Sequence, residues 1–327
     1  GMKNMLIVDG NSILNRAFYG IRALSTKDGR FTNGIYGFLT ILMKLRDEVK
    51  PDGVAIAFDL KAPTFRHRMY DGYKANRHGM PPELAEQLPV LKELLVALGY
   101  KIISLEGYEA DDILGTVAEM CKDGNECYIA TGDRDSLQLV RDNVNVVLAT
   151  TRMGKSETVL YDTDKIKEVY GVTPEQLIDI KAIQGDTSDN IPGVAGVGPK
   201  TASDLLMRFG SLDGVYQNLQ DATIRPKLRE KLEAGKESAY LSYELATIRP
   251  EAPIEFAPMD AVVRPYNRVA LYDLFQKLEF VKLIDKYGLR GADREVPKAQ
   301  KQSCEKLSHL ESVPAGQEFY ALYLAED

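Results

Sequence analysis

The sequence predicts an α/β unit built on a mainly parallel sheet with helices on both faces, followed by an all-helical unit. Three observations carry this. Short apolar, β-branched runs alternate with helical patterns through the first half, which is how a parallel sheet with crossover helices reads. Three of those runs stop at a carboxylate, and from about Thr173 the pattern changes to short helices punctuated by Gly and Pro. The strand candidates, in order, are Met5–Val8, Val54–Phe58, Lys101–Ser104, Cys127–Ala130 and Val144–Leu148. Between them Ile35, Phe38, Leu39, Leu42 and Leu45 recur at helical spacing, as do Leu84, Leu88, Leu91, Leu95 and Leu98, giving two crossover helices. In the second unit Leu177–Ile183, Thr201–Phe209, Ile224–Glu233 and Tyr240–Thr247 are helix candidates. Gly291, Pro297 and many charges make Gly291–Ser303 read as a linker, and Val313–Leu324 reads as a strand opening a further domain. The expected division is 1–172, 173–290, a linker at 291–305 and the start of another domain at 306–327.

Composition bounds the function. A chain of 327 residues, 44% hydrophobic, exceeds what one core usually holds, so two units fit. No apolar run approaches the roughly 20 residues of a spanning helix, and Met5–Val8 stops at Asp9, too short for a signal-peptide core, so a cytoplasmic location is expected. Cys121, Cys127 and Cys304 form neither a disulfide framework nor a zinc spacing, and His67, His78 and His309 have no partner at ligand spacing. The net charge of −7 argues, at face value, against a generally basic nucleic-acid binder.

Where the acids fall in the sequence alters the meaning of that charge. Met5–Val8 runs into Asp9, Val54–Phe58 into Asp59, and Cys127–Ala130 into Asp133 and Asp135. Ligands of open α/β sheets bind at the carboxyl ends of strands. One Asp there is usually a helix cap or turn former; three together point to a site. Glu109, Asp111 and Asp112 open a helix expected over Asp112–Cys121, and Asp186 and Asp189 lie in a loop. Acids in a first helical turn are also stabilised by the macrodipole, which gives Asp112 a purely structural reading. Converging carboxylates cannot all stay ionised unless cations sit among them, and an oxygen-only set suits Mg²⁺ or Mn²⁺. Two such ions about 3.5–4 Å apart stabilise both the attacking and the leaving oxygens of a phosphodiester displacement.

Two segments face phosphate. Lys61–His78 holds Lys61, Arg66, Arg68, Lys74 and Arg77 against Asp71 alone, with Phe65, Tyr70 and Tyr73 interleaved. Such a segment is often a solvated loop. Beside Asp59, its charge and aromatic faces suit frayed or unpaired nucleic acid, and Lys74 and Arg77 could hold the scissile phosphate. Few core anchors lead to the expectation that 61–82 is mobile without DNA. The run Gly193-Val-Ala-Gly196-Val-Gly198-Pro-Lys200-Thr201 fails both the P-loop and the dinucleotide spacings. It fits a Gly-rich turn between helices, resembling a helix-hairpin-helix that grips a DNA backbone without reading sequence; a plain corner between helices is the alternative.

These residues together resemble a known family. Leu6-Ile-Val-Asp-Gly10, Phe58-Asp-Leu-Lys-Ala-Pro63, Phe65-Arg-His67, Gly72-Tyr-Lys-Ala-Asn-Arg77, Gly107-Tyr-Glu-Ala-Asp-Asp112, Thr131-Gly-Asp-Arg-Asp135 and Gly185-Asp-Thr-Ser-Asp-Asn-Ile-Pro-Gly193 occur in the order of the 5′-nuclease domain of bacterial DNA polymerase I, within the flap endonuclease family. The resemblance implies a PIN-like core with a helical arch at about 61–82, and a nuclease that removes RNA primers and 5′ flaps in replication and repair. It implies that Asp9, Asp59, Glu109, Asp111, Asp133, Asp135, Asp186 and Asp189 are metal-site acids, with Asp112 aligned to a further family acid. Tyr73, Lys74 and Arg77 resemble arch residues that stack on the terminal base and contact the phosphate; the Gly193–Thr201 turn resembles one that can carry K⁺. Implied partners are DNA with a 5′ flap, nick or frayed end, an RNA–DNA primer hybrid, and polymerase domains on the same chain. Eight local acids exceed the whole net charge of −7, so the acidity belongs to the site. Two other readings stand beside this one. The first is a catalytically idle DNA-junction module. The second is a small-molecule phosphatase of the haloacid-dehalogenase kind, against which Asp9-Gly-Asn11 lacks the required D-x-D.

Overall fold

The computed structural model describes residues 2–121, 124–152 and 155–294. A six-stranded sheet has the order β3-β2-β1-β4-β5-β6, formed by β1 (Asn4–Asp9), β2 (Gly53–Ala57), β3 (Lys101–Ile103), β4 (Glu126–Thr131), β5 (Val144–Arg152) and β6 (Lys155–Tyr161). Every pairing is parallel except β5 with β6. Successive residues of a strand face opposite sides. Leu6, Val8, Val54 and Ile56 enter one apolar layer and Met5, Ile7, Ala55 and Ile129 the other, so the inner strands are buried on both faces.

Helices α1 (Gly10–Gly20), α2 (Asn33–Val49), α3 (Phe65–Met69), α4 (Pro82–Ala85), α5 (Gln87–Ala97), α6 (Ala110–Met120) and α7 (Thr163–Tyr170) accompany the sheet. Ile13, Leu39, Leu42 and Leu91 cover one face; Ile113, Leu114 and Val117 cover the other. A separate apolar cluster holds α8 (Gln176–Gln184), α9 (Pro199–Phe209), α10 (Leu212–Gln217), α11 (Pro226–Ala234) and α12 (Lys236–Ala246), with Ile183, Val194, Leu205, Val215 and Leu232 at its centre. After it, α13 (Arg268–Leu278) and α14 (Val281–Lys286) return to the sheet: Leu271, Phe275 and Leu283 pack into the layer under α2 and α5. Among the described residues no helix is long and apolar enough to cross a membrane.

The five expected strands are present within a residue or two, except that β5 runs on to Arg152. The sixth, β6, was not expected. Its antiparallel edge position leaves Leu160 exposed and its sequence mostly polar, so it carries no apolar run. The expected helix Leu84–Leu98 is two pieces, α4 and α5. The segment 61–82, expected to be mobile, is folded onto the acid loop: Lys74 N donates to Asp189 O at 2.8 Å and Asn190 Nδ2 to Gly72 O at 2.7 Å. The strand expected at Val313–Leu324 and most of the linker lie outside the described residues.

Candidate metal centre

The chain passes β1, β2 and β3 on one side and then returns to place β4 on the other side of β1, so the strand order reverses between β1 and β4. A crevice opens at such a switch point. Asp9 is the last residue of β1 and also the N-cap of α1, accepting from Ser12 N at 3.3 Å. Thr131 ends β4; its hydroxyl donates to Asp9 Oδ2 at 2.9 Å and accepts from Asp133 N at 3.0 Å. Ser12 Oγ accepts from Gly132 N at 2.9 Å, and Arg16 Nη2 donates to Gly132 O at 2.8 Å. The spacing of Asp9 and Asp133 is thereby set by hydrogen bonds, against the repulsion of the two carboxylates. Asp59 is held by both ends: its N–H donates to Asn11 Oδ1 and its Oδ1 accepts from Ala110 N, each at 2.7 Å.

The electrostatics of this group are those of crowded acids. Burial pushes the Asp133 carboxyl up to about 7, helped by the charge of Asp135. Burial and then Asp9 push Asp59 up to about 6, although the residue as a whole stands at the solvent edge. Burial, then Asp133, Asp9 and Glu109, hold Asp111 well above the usual carboxylate range, and burial raises Asp9. Among the described residues no ion pair reaches Asp9, Asp59, Asp111 or Asp133.

A second group lies beside the first and is paired. Asp135, Asp186 and Asp189 each offer a carboxylate oxygen within 4.8 Å of the others. Lys181 of α8 bridges Asp135 and Asp186, Arg77 pairs with Asp189, and Lys74 reaches Glu109 Oε1 at 2.5 Å. Burial opposes the charge of Glu109, yet Lys74 and Arg66 prevail and bring its carboxyl down to about 2. Asp186 is lowered in the same way by Lys181 against its burial, whereas burial leaves Asp189 raised despite Lys74 and Arg77. The loop of Asp186 and Asp189 is closed by a bridge between Asp186 and Ile191 and by Gly185 and Gly193 at its neck. A Cβ on Gly193 would lie 2.3 Å from Gly185 N, so only glycine fits there.

Several expected residues stand elsewhere. Asp112 is fully buried and accepts from Arg66 Nη1 and Nη2 at 2.8 Å, from Glu109 N at 3.0 Å and from Arg249 N at 2.9 Å; it faces the protein, not the crevice. Arg66, expected to meet nucleic acid, is 2% exposed and spends its guanidinium on protein acceptors. Tyr73, expected to stack on a base, is 4% exposed, with its ring edge-on to His67 and its hydroxyl donating to Glu109 Oε2 at 3.0 Å. Gly193 is buried too, its N–H donating to Ser242 Oγ and its carbonyl accepting from Ser238 Oγ. Gly196 and Gly198 are exposed, and Gly198 is the N-cap of α9 with open space where a Cβ would stand. Lys200 is exposed beside Thr201 in the first turn of α9. Sequence reasoning missed Lys181, Thr131, Ser12 and Asn11. Lys181 had one signal: a helix cation five residues before Asp186.

The donors around the crevice are all oxygens, many are acids, and four have no ion-paired cation among the described residues. A set of that kind suits hard divalent ions, and the carboxylates of Asp135, Asp186 and Asp189 lie close enough together to share one.

Comparison with known proteins gives consistent matches. Residues 4–171 match the model of the 5′-3′ exonuclease N-terminal resolvase-like domain, and residues 172–269 that of the 5′-3′ exonuclease C-terminal SAM fold. DNA polymerase I of Bacillus subtilis (strain 168) is 43% identical over 307 residues, covering 94% of this chain and 34% of that protein. DNA polymerase I of Caldicellulosiruptor bescii is 41% identical over 317 residues, covering 94% of this chain and 37% of that protein. The chain therefore spans about a third of the length of these relatives. T5 5′-exonuclease with bound divalent zinc ions has a similar fold, with a TM-score of 0.61 at 23% identity, covering 84% of this chain and 97% of that one. The catalytic core of Rad2 in complex with DNA substrate superposes with a TM-score of 0.55 at 17% identity, covering 84% of this chain and 88% of that one.

Proposed function

The chain belongs to the 5′-3′ exonuclease family, and from that premise we propose that it is a divalent-metal-dependent 5′-3′ exonuclease and 5′-flap endonuclease that hydrolyses phosphodiesters in replication and repair. The observation that carries the reading is the placing of three unpaired acids, Asp9, Asp59 and Asp133, at the ends of three adjacent parallel strands, with Asp111 in the first turn of α6, beside three cations, Lys74, Arg77 and Lys181, on the crevice's other wall.

The metal acids are Asp9, Asp59, Glu109, Asp111, Asp133, Asp135, Asp186 and Asp189, and the ions are Mg²⁺ or Mn²⁺. When bound, they supply the charge that activates water and stabilises the phosphodiester transition state. The chain's own residues do the rest. Thr131, Ser12 and Asn11 hold the acids in place, and Lys74 and Arg77 orient the scissile phosphate once DNA draws them from Glu109 and Asp189. Gly196, Gly198, Lys200 and Thr201 take the duplex backbone at the N-terminus of α9. Lys231 Nζ donates to Gly196 O at 3.2 Å, so a carbonyl of this turn already receives a monovalent cation; K⁺ would compete for it. We assign 1–172 to the nuclease core and 173–290 to the DNA-gripping unit, in a bacterial cytoplasmic protein that continues into polymerase domains. Substrates are 5′ flaps, nicks and frayed ends, including RNA primers.

The test is cleavage of a 5′-flap duplex in Mg²⁺ by this chain and by the Asp9→Ala, Asp133→Ala double variant. Equal activity in the two would sink the assignment. Flap binding without product over a range of Mg²⁺ and Mn²⁺ would point instead to an idle junction module.

A further inference from the structure

Arg66 is the most fully engaged side chain near the crevice, and no step of the proposed reaction uses it. It sits on α3, which a reciprocal cap holds at its start: His67 Nδ1 accepts from Thr64 N at 3.0 Å. All five N–H groups of its guanidinium are used. Nε donates to Leu245 O at 2.8 Å; Nη1 donates to Glu109 Oε2 at 2.6 Å and Asp112 Oδ2 at 2.8 Å; Nη2 donates to Asp112 Oδ1 at 2.8 Å and Thr247 O at 2.7 Å. A lysine has the same charge but a compact head that cannot reach two carboxylates and two carbonyls on separate segments.

What Arg66 joins is unusual. Glu109 lines the crevice, whereas Leu245 and Thr247 stand where the chain leaves α12. Ser238 and Ser242 of α12 hold both polar atoms of Gly193, in the turn assigned to the DNA backbone. A structural ion pair needs only Asp112, which already matches the charge of Arg66. The additional bonds to Glu109 and to two carbonyls fix where the Glu109 carboxylate stands relative to the helical unit.

We propose that Arg66 is a positioning residue that sets the Glu109 carboxylate for metal by tying it to the segment leaving α12. This rests on the reading of Glu109 as a metal acid. Outer partners of metal ligands typically carry about 10–100-fold in metal affinity or activity. Arg66→Lys should therefore weaken Mn²⁺ binding to the free protein and slow single-turnover flap cleavage by about 10–100-fold, with flap affinity within about twofold. If Arg66 acts through Glu109, the same substitution made on Glu109→Gln should cost less than about threefold more, because coupled sites are non-additive. Equal losses in both backgrounds, or unchanged Mn²⁺ affinity in Arg66→Lys, would overturn the proposal. Asp112→Asn keeps the shape and leaves the bonds from Arg66 to Glu109 and the carbonyls, so it should stay within about threefold of the parent in Mn²⁺ affinity, far from the effect expected of an outer partner. A loss of tenfold or more there would assign the effect to the buried ion pair and overturn the proposal even if Arg66→Lys fails to fold. Should the parent chain cleave nothing, the proposed function fails, while Mn²⁺ binding still decides the role of Arg66.

Discussion

The two walls of the crevice solve the same electrostatic problem in opposite ways. On one, Asp9, Asp59, Asp111 and Asp133 crowd together without an ion pair from the chain and are pushed toward the protonated form. On the other, Glu109, Asp135, Asp186 and Asp189 face Lys74, Lys181 and Arg77. The first wall depends on cations from solution. The second brings its own, paired to its carboxylates. On the proposed reading, the contrast would let a protein with net charge −7 engage DNA, because metal would cover one set of acids and the chain's own cations already match the other.

The largest expected effect tests the unpaired wall. Asp133→Asn keeps the acceptor for Asp135 N, which lies at 2.9 Å, but removes a charge needed to hold metal. Flap cleavage in Mg²⁺ should fall by about 10³-fold, the worth of several kcal/mol of lost charge stabilisation. Its melting temperature in chelator at pH 8 should rise, because the carboxylate it removes is opposed by its neighbours. A lower melting temperature would place Asp133 with the paired wall.

Lys74→Ala tests the other wall and should have the opposite sign on stability. Cleavage should drop about 10²-fold, as for loss of one preorganised donor. In chelator the protein should lose about 2 kcal/mol, since Glu109 keeps only Arg66 as a cationic partner. Chemical denaturation with and without chelator measures both walls on one scale.

Dependence on pH gives a third test. Asp59 at about 6, Asp133 at about 7 and the raised Asp9 and Asp111 keep protons in the folded state that the unfolded chain releases near pH 4. Folding then binds protons, so metal-free stability should fall as pH rises from about 4 through 7. Glu109, lowered to about 2, contributes in the reverse sense only below its ordinary value of 4.5, so the two effects separate. Saturating Mg²⁺ should flatten or invert the decline; a metal-free melting temperature that rises from pH 5 to 8 would contradict the unpaired wall. The smallest effect is expected for Lys181→Met, which frees Asp135 and Asp186. Mn²⁺ binding should tighten by a few fold, the scale of one nearby charge in a watery site.

Legibility in the sequence followed the same division. Strands β1, β2 and β4 are apolar on both faces, so Asp9, Asp59 and Asp133 could be placed at their ends without a structure. Helix α1 escaped because it begins at the residue after β1, with Asp9 serving both elements and no loop between them to mark a boundary. The paired wall was legible in its acids and in Lys74 and Arg77, but not in how they pair. Lys181 stands five residues from Asp186 but otherwise reads as an ordinary helix lysine, and the grip of Arg66 on Asp112 spans 46 positions, so that pairing leaves no local trace. Arg66 and Tyr73 were misplaced for a related reason: a basic or aromatic residue in a polar segment looks exposed until a buried acid elsewhere claims it.

The neck formed by Gly185 and Gly193 has a consequence for how this protein can change. Both ends of the segment meet backbone to backbone, so it is a ring closed without a covalent bond, and its circumference is fixed by contact. Residues inside the ring can be exchanged while the neck holds, and any change in its length falls between two fixed ends and must be taken up inside the ring, where it would shift Asp189 against Asp186, which the bridge to Ile191 ties down. The spacing of the two acids, and with it the space between their carboxylates, is what such a change would alter.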